Sequence, residues 1–214
     1  MTTSRSGPDG SLQLVAFDLG GVVLESPLHE IARLEEESGV TAGLINQAVQ
    51  EAGPAGAWAR LERGELGMES FVDLFTGDLG RIGVRGVDVA DLMRRIEAVA
   101  VARPAMVAAI DRLRAAGLKV AAVTNSWRSR AAQRVSSHFD LVIESHLEGT
   151  RKPEARIFRL LIERSGVTPD RIVFLDDIGV NLKAAREMGM HTIKVDHPLP
   201  ALEELSDLVG LNLV

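Results

Sequence analysis

The chain has 214 residues and a formal net charge of -6, and this acidic balance argues against a nucleic-acid partner, which usually needs a basic surface. Cysteine is absent, so disulfides, thiolate catalysis and thiolate zinc sites are excluded. No stretch approaches the ~18 consecutive apolar residues of a membrane-spanning helix. We therefore expect no membrane partner.

The amino-terminal residues predict a flexible tail rather than a targeting segment. Residues 1–11 are polar, contain Gly7, Pro8 and Gly10, and lack the apolar centre of a secretory signal peptide. With no cysteine and no membrane span, the expected location is cytoplasmic.

Short apolar runs alternate with amphipathic stretches over most of the remaining chain. The runs predict strands at Leu12–Leu19, Leu118–Thr124, Leu141–Glu144, Arg171–Asp176 and Thr192–Val195. The stretches between the later runs predict helices at Pro104–Ala116, Ser129–Ser137, Pro153–Ser165 and Val180–Met188. Strands that alternate with helices predict an α/β fold built on a doubly wound parallel sheet.

One long segment breaks this alternation, because it shows helical periodicity and no strand. The predicted helices there are Leu28–Ser38, Ala42–Glu51, Met68–Leu79 and Val87–Val99. We therefore predict a core of residues 12–26 and 101–214, with an all-helical cap, residues 27–100, inserted after the first strand. Such a lid can exclude water and select substrates. Its mixed charges are expected to form a solvated helix face: Arg60, Glu62, Arg63 and Glu65.

The first predicted strand ends on a carboxylate and a glycine turn, in the run Phe17-Asp18-Leu19-Gly20-Gly21. In open parallel α/β sheets, ligands bind at the carboxyl ends of the strands. Asp18 is therefore a candidate nucleophile or metal ligand.

Two more carboxylates, Asp176 and Asp177, end a later predicted strand. Carboxylates that converge repel one another unless a cation lies between them, and hard oxygen ligands suit Mg²⁺. We expect Asp18 and Asp177 to share a magnesium ion, with Asp176 as a further or outer ligand.

The remaining polar groups near the predicted strand ends suit a phosphate. The hydroxyl and backbone amides of Thr124 and Asn125 can donate hydrogen bonds to phosphate oxygens, and Lys152 supplies a compact positive charge. Asn181 either orients Lys152 or faces solvent. An aspartate nucleophile held in this way forms an aspartyl-phosphate. The expected partner is a small-molecule phosphate ester, and the expected assembly is a monomer or homodimer.

This ordered set of motifs resembles the haloacid dehalogenase superfamily, and in particular the amino-terminal phosphatase domain of soluble epoxide hydrolase and the similar domain of large acyl-CoA dehydrogenases. The resemblance extends from Leu12 to Val214. The segments that carry it are Phe17–Val23, Gly53–Gly56, Thr124–Trp127, Ile143–Ser145, Arg151–Glu154, Phe174–Lys183 and Gly189–Ile193.

The resemblance implies a Rossmann-like core with a helical cap inserted after the first strand. It also implies Mg²⁺-dependent hydrolysis of phosphomonoesters, with Asp18 as the nucleophile and the backbone carbonyl of Gly20 as a metal ligand.

The sequence departs from the superfamily pattern at Gly20, where phosphatases usually have a second aspartate that acts as general acid and base. Loss of such a group typically costs ~10²–10⁴ in rate. Glu25, Ser26 and His29 are possible substitutes. A phosphatase is the leading hypothesis. The alternatives are a pseudophosphatase that binds phosphate ligands with little turnover, and a metal-independent 2-haloacid dehalogenase.

Overall fold

A computed structural model describes residues 12–128 and 130–214 and contains a five-stranded sheet. The predicted flexible tail, residues 1–11, lies outside the described residues. The strands are β1 (Leu14–Phe17), β2 (Lys119–Thr124), β3 (Leu141–Glu144), β4 (Ile172–Asp176) and β5 (His191–Lys194). Their order in the sheet is β3-β2-β1-β4-β5, and all neighbouring strands run parallel.

Helices surround the sheet and fill the long segment between β1 and β2. They are α1 (Leu28–Glu37), α2 (Leu44–Ala52), α3 (Ala57–Glu62), α4 (Met68–Arg81), α5 (Val89–Val99), α6 (Pro104–Ala115), α7 (Ser145–Glu148), α8 (Ala155–Ser165), α9 (Gly179–Glu187) and α10 (Pro198–Val209). None of these described helices combines the length and apolar character needed to cross a bilayer.

The two faces of the sheet are buried by different helices, because successive side chains of a strand point to opposite faces. Val15 and Phe17 of β1 belong to the apolar cluster that contains residues of α6 and α10. Leu14 and Ala16 belong to the cluster that contains residues of α8 and α9. Both faces are therefore covered, as expected of a doubly wound parallel sheet.

Helices α1 to α5 form the inserted cap and pack around an apolar cluster of their own. Its fully buried centre includes Ile45, Phe71, Phe75 and Leu92. Phe71 and Phe75 stack with ring centroids 5.3 Å apart, and Trp58 packs edge-on against both rings. The cap thus has an apolar interior separate from the two clusters of the sheet.

The two connections between cap and sheet run side by side. The Glu25 amide donates to the Val101 carbonyl at 2.9 Å, and the Arg103 amide donates to the Val23 carbonyl at 2.8 Å. The cap therefore leaves and rejoins the sheet region at one place, beyond the carboxyl end of β1.

The predicted fold class is confirmed, and all five predicted strands form with small changes at their ends. The predicted helix Ser129–Ser137 is wrong, because its described residues form short 3-10 turns at Ala132–Arg134 and Ser136–His138. The Ser136 hydroxyl donates to the Gln133 carbonyl at 3.1 Å, a local bond that competes with helical pairing. Sequence patterns also missed α3, α7 and α10.

Candidate functional site

Three carboxylates converge where β1 and β4 end. Asp18 directly follows β1, Asp176 is the last residue of β4, and Asp177 comes next. Connections leave the adjacent strands β1 and β4 toward opposite sides of the sheet, which makes this the switch point where doubly wound folds bind ligands. Each of the three offers an oxygen within 4.8 Å of the others, so one cation could contact all of them.

Lys152 lies fully buried among these carboxylates. Its Nζ is 2.8 Å from Asp18 Oδ1 and 2.7 Å from Asp176 Oδ2, and it lies over the Phe174 ring at 5.4 Å from the centroid. Burial opposes the charge, but Asp176 and Asp18 outweigh it and raise the pKa of Lys152 above its usual range. The lysine therefore remains cationic, and it bridges the ends of β1 and β4.

Asp176 and Asp177 are adjacent in sequence but differ in their bonding. Asp176 Oδ1 accepts from the Ile178 amide at 2.8 Å and from Asn181 Nδ2 at 3.0 Å, while Oδ2 accepts from Lys152. Asp177 is half-buried, and its shielded Oδ1 has no hydrogen-bond partner among the described residues. Asp176 is thus committed to holding Lys152, whereas Asp177 has an oxygen free to bind a ligand.

Asn181 is buried. Of its two expected placements, near Lys152 or facing solvent, the second is therefore wrong. It acts on Lys152 indirectly, since its amide donates to both oxygens of Asp176, the carboxylate that holds the lysine.

Negative charge is in excess at this edge of the sheet. Burial, with Asp176 and Asp177 opposing Lys152, raises the pKa of Asp18 to about 7. Burial and the neighbouring Asp176 raise the pKa of Asp177 to about 6. A divalent cation would relieve this repulsion, and the donors are the hard oxygens that Mg²⁺ prefers. The unpartnered Asp177 oxygen and this donor set fit a magnesium ion.

Asn125 and Thr124 lie beside the site, but their side chains bond within the protein. Asn125 Oδ1 accepts from the Lys152 amide at 2.8 Å, and its Nδ2 donates to the Lys152 carbonyl at 3.0 Å. The buried Thr124 hydroxyl donates to the Asn125 carbonyl at 3.3 Å. The Asn125 side chain therefore clamps the backbone of Lys152. No spacing pattern in the sequence indicated this pairing across 27 positions.

The two glycines after Asp18 have different surroundings. A Cβ built on Gly21 would lie 2.2 Å from Asp177 Oδ2, and its φ of +78° disfavours other residues. A Cβ on Gly20 would meet no atom within 4 Å among the described residues, and its φ lies outside the left-handed range. The left-handed φ and the close approach of Asp177 together favour glycine at position 21, whereas position 20 has room for a side chain.

The candidate substitutes for the missing aspartate have other contacts. Glu25 pairs with Arg103 at 3.2 Å, the Ser26 hydroxyl accepts from the Leu28 amide at 3.3 Å, and His29 is exposed. Within the described part of the chain, none of the three candidates hydrogen-bonds to Asp18. Neither the sequence nor this geometry identifies a substitute acid.

The cap residue Glu62 corrects the prediction of a solvated charged face. Arg60 and Arg63 are partly exposed and Glu65 is exposed, but Glu62 is buried and pairs with Arg151 of the core. A pattern of alternating charges along a helix cannot reveal a partner that lies 89 positions away.

Comparison with known proteins identifies the family. A model of the haloacid dehalogenase-like hydrolases matches residues 12–189. The chain belongs to this hydrolase family. The family assignment agrees with the fold and with the clustering of Asp18, Lys152, Asp176 and Asp177 at the carboxyl edge of the sheet.

Several curated proteins are similar over nearly the whole chain. Acyl-CoA dehydrogenase family member 10 from Mus musculus is 37% identical over 209 residues, which cover 95% of this chain and 20% of the relative. Bifunctional epoxide hydrolase 2 from Sus scrofa is 32% identical over 222 residues, which cover 95% of this chain and 40% of the relative. This chain therefore spans about a fifth of the first relative and two fifths of the second.

A shorter relative matches over almost all of its length. Glyceraldehyde 3-phosphate phosphatase from Methanocaldococcus jannaschii is 26% identical over 218 residues, covering 91% of this chain and 96% of the relative. Among solved structures, a mutant HAD family enzyme from Bacteroides thetaiotaomicron, in complex with magnesium and inorganic phosphate, has a TM-score of 0.61. At 19% identity, with 86% of this chain and 93% of the other covered, this similarity shows the shared fold.

Proposed function

We propose that this chain is a Mg²⁺-dependent phosphatase that hydrolyses a small phosphomonoester through an aspartyl-phosphate on Asp18. The observation that carries the proposal is the contact of buried Lys152 with Asp18, 2.8 Å apart, beside the unpartnered oxygen of Asp177. One relative is named as a phosphatase of a small phosphate ester, which supports this substrate class.

The nucleophile would be Asp18. Its Oδ1 accepts from Lys152 Nζ at 2.8 Å and from the Leu19 amide at 2.7 Å, and no hydrogen bond reaches Oδ2 within the described residues. Oδ2 is therefore the oxygen that attacks phosphorus as the ester P–O bond breaks. Water then attacks the phosphoryl group, which releases inorganic phosphate and regenerates the Asp18 carboxylate.

Lys152, together with the cation that Asp18 and Asp177 would hold, would offset the negative charge of the transferring phosphoryl group. Lys152 offsets negative charge on the phosphoryl oxygens, and its own position is fixed by Asp176 and Asn125. Asp18 and Asp177, with the backbone carbonyl of Gly20 that the family resemblance implies, would hold Mg²⁺. When bound, the ion would neutralise charge as a Lewis acid. Asp176 would then lie outside the direct ligands of the ion, where it holds Lys152.

Residues 27–100 would act as the cap over this site, and residues 12–26 and 101–214 would form the catalytic core. The cap connections meet beside Asp18, and Arg103 on the returning connection donates to the Gly21 carbonyl at 2.8 Å. A cap in this position can exclude water from the phosphoryl group.

Gly20 sets the expected substrate preference. With no carboxylic acid at this position, the leaving alkoxide must take its proton from solvent, so esters with poor leaving groups should react most slowly. Because no atom of the described residues lies within 4 Å of a Cβ built on position 20, Gly20→Asp can supply the missing acid without displacing any of them.

The test compares wild type, Gly20→Asp and Gly20→Asn on aryl and alkyl phosphates with Mg²⁺. We expect wild type to hydrolyse aryl phosphates, and Gly20→Asp to gain about 10²-fold or more on alkyl phosphates. Gly20→Asn has nearly the same size without an acid and should gain nothing. Asp18→Asn should abolish turnover. Equal turnover by Asp18→Asn and wild type would contradict the proposal.

A pseudophosphatase is the second candidate, and Gly20 is the observation that favours it. Such a protein would bind fluoroberyllate at Asp18 in the presence of Mg²⁺, yet hydrolyse no ester in the panel. A 2-haloacid dehalogenase is less favoured, because it needs no metal ion and the unpartnered Asp177 oxygen would then have nothing to bind. Halide release from 2-chloropropionate without Mg²⁺ would support that alternative.

A further inference from the structure

Helix α3 of the cap contacts the core loop that carries Lys152. The Glu62 side chain, at the end of α3, accepts a hydrogen bond from Arg151 Nε through Oε2, and its Oε1 accepts from Trp58 Nε1 at 3.0 Å. The Glu62 side chain is only 9% exposed and that of Arg151 is 22% exposed. The residue that precedes Lys152 is therefore tied to a largely buried carboxylate of the cap.

A second contact joins the end of α3 to the loop that follows β2 and to helix α7, which follows β3. The Ser145 hydroxyl donates to the Glu62 carbonyl at 2.6 Å and accepts from the Ser126 amide at 2.8 Å. Two positions further along, a Cβ on Gly64 would lie 2.3 Å from the His146 carbonyl oxygen. The end of α3 thus packs directly against the core backbone.

A third contact fixes the far side of the Lys152 loop. Glu154 Oε2 accepts from the Thr150 hydroxyl at 2.8 Å and from the Arg151 amide at 3.3 Å. Its Oε1 lies 3.4 Å from Arg63 Nη1, one residue beyond α3. The cap therefore contacts the loop on both sides of Lys152. Glu62 of the cap pairs with Arg151, and Arg63 of the cap pairs with Glu154.

We propose that Glu62 is a positioning residue, which acts through Arg151 to hold the Lys152 loop so that the lysine is aligned to bind a phosphoryl group. Asn125 clamps the Lys152 backbone from the core side, and Arg151 anchors the same loop from the cap side. The proposal rests on the proposed function, in which Lys152 contacts phosphate. It gives the cap a structural part in the phosphate site.

The contacts of the Lys152 ammonium tolerate little displacement of the loop. Lys152 Nζ lies 2.8 Å from Asp18 and 2.7 Å from Asp176, so a loop displaced by about 1 Å would lengthen these contacts and misplace the charge. Misplacements of this size can cost about 10²-fold in rate. The proposed metal donors Asp18 and Asp177 directly follow strands β1 and β4, so loss of Glu62 should leave them in position.

The test measures binding of inorganic phosphate in saturating Mg²⁺, and binding of Mg²⁺ alone, by calorimetry. We expect Glu62→Gln to weaken phosphate binding by about 10-fold or more and to leave the dissociation constant of Mg²⁺ unchanged. The matched control is Glu37→Gln, which removes a cap carboxylate whose arginine partners, Arg33 and Arg95, both belong to the cap. This control should bind both ligands like wild type.

A double-mutant cycle tests whether the effect passes through Arg151. If it does, Arg151→Gln alone and the double variant Glu62→Gln/Arg151→Gln should weaken phosphate binding as much as Glu62→Gln alone. If the double variant weakened phosphate binding by the product of the two single effects, Glu62 would not act through Arg151. If Glu62→Gln does not fold by circular dichroism, Arg151→Gln carries the test, since its side chain is partly exposed.

The outcomes separate this inference from the proposed function. If wild type hydrolyses esters and Glu62→Gln binds phosphate equally well, the inference is wrong and the phosphatase proposal stands. If wild type binds phosphate without turnover and Glu62→Gln weakens that binding, the phosphatase proposal is wrong and the inference stands. A wild type that binds no phosphate would overturn both.

Discussion

The carboxyl edge of the sheet clusters its buried charges, whereas the helical cap keeps its buried charges apart. At the sheet edge, Lys152 and Asp176 are fully buried and touch each other, beside buried Asp18. In the cap, pairs such as Arg33–Glu37 lie largely in solvent. The buried cap carboxylates, Glu35, Asp78 and Glu62, lie apart from one another and each accepts hydrogen bonds. Exposed ion pairs contribute little to stability, whereas buried charges cost free energy unless they are paired.

This difference separates residues that serve folding from residues that serve a ligand. The cap follows the ordinary rule, in which burial of apolar surface supplies most of the stability. The sheet edge departs from that rule, since it holds three carboxylates around one lysine. The proposed function explains this arrangement, because a magnesium ion and a phosphate ester would both bind there.

The largest effect is expected when Lys152 becomes methionine. Lys152→Met leaves the carboxylates of Asp18 and Asp176 without their buried cation, which should lower the free energy of unfolding by about 3–5 kcal/mol and abolish ester turnover. Urea denaturation measures the first effect. Lys183→Met, at a lysine whose side chain is 72% exposed, should change stability by less than ~0.5 kcal/mol. Equal losses in the two variants would contradict this view of the edge.

In the cap, Phe75→Ala should destabilise without affecting the site. The side chain is fully buried against Phe71 and Trp58, so its loss should cost about 3–5 kcal/mol of unfolding free energy. The matched control is the neighbouring Leu74→Ala, at a residue 43% exposed, which should cost much less. Calorimetry should find the same Mg²⁺ affinity in both. A lost Mg²⁺ site in Phe75→Ala would mean that the cap core supports the metal ligands.

The sequence predicted the sheet edge better than the cap. The clustering of Asp18, Asp176 and Asp177 could be predicted because they come at the ends of apolar runs, and parallel strands bring such ends together. Position along the chain was enough, without knowledge of side-chain packing.

The part that could not be predicted depends on single contacts between distant residues. Neither the clamp of Asn125 on the Lys152 backbone nor the pair of Glu62 with Arg151 leaves a periodic pattern in the sequence. Helix α3 was missed for a related reason. It is only six residues long, too short for the apolar periodicity by which the other cap helices were identified.

Asp177→Asn separates the two adjacent aspartates at the sheet edge. In wild type, Mg²⁺ at 100 times its dissociation constant should raise the unfolding free energy by about 2.7 kcal/mol, because it binds only the folded chain. Asp177→Asn should lose most of this gain and keep the metal-free stability, since Asp177 Oδ1 has no hydrogen-bond partner among the described residues. Thermal denaturation with and without Mg²⁺ measures both quantities. An unchanged magnesium effect would remove Asp177 from the set of ligands.

The smallest effects should distinguish the two glycines between strand β1 and the cap. Gly21→Ala forces a left-handed φ of +78° on alanine, at ~1–2 kcal/mol, and also drives its Cβ against Asp177 Oδ2. The added Cβ of Gly20→Ala meets no atom of the described residues within 4 Å, so this change should leave both stability and Mg²⁺ affinity near wild type. Parallel urea and calorimetric titrations of the pair would measure this contrast. A large loss in Gly20→Ala would mean that its space is needed by a ligand or by the backbone, and that an aspartate there could not restore the acid.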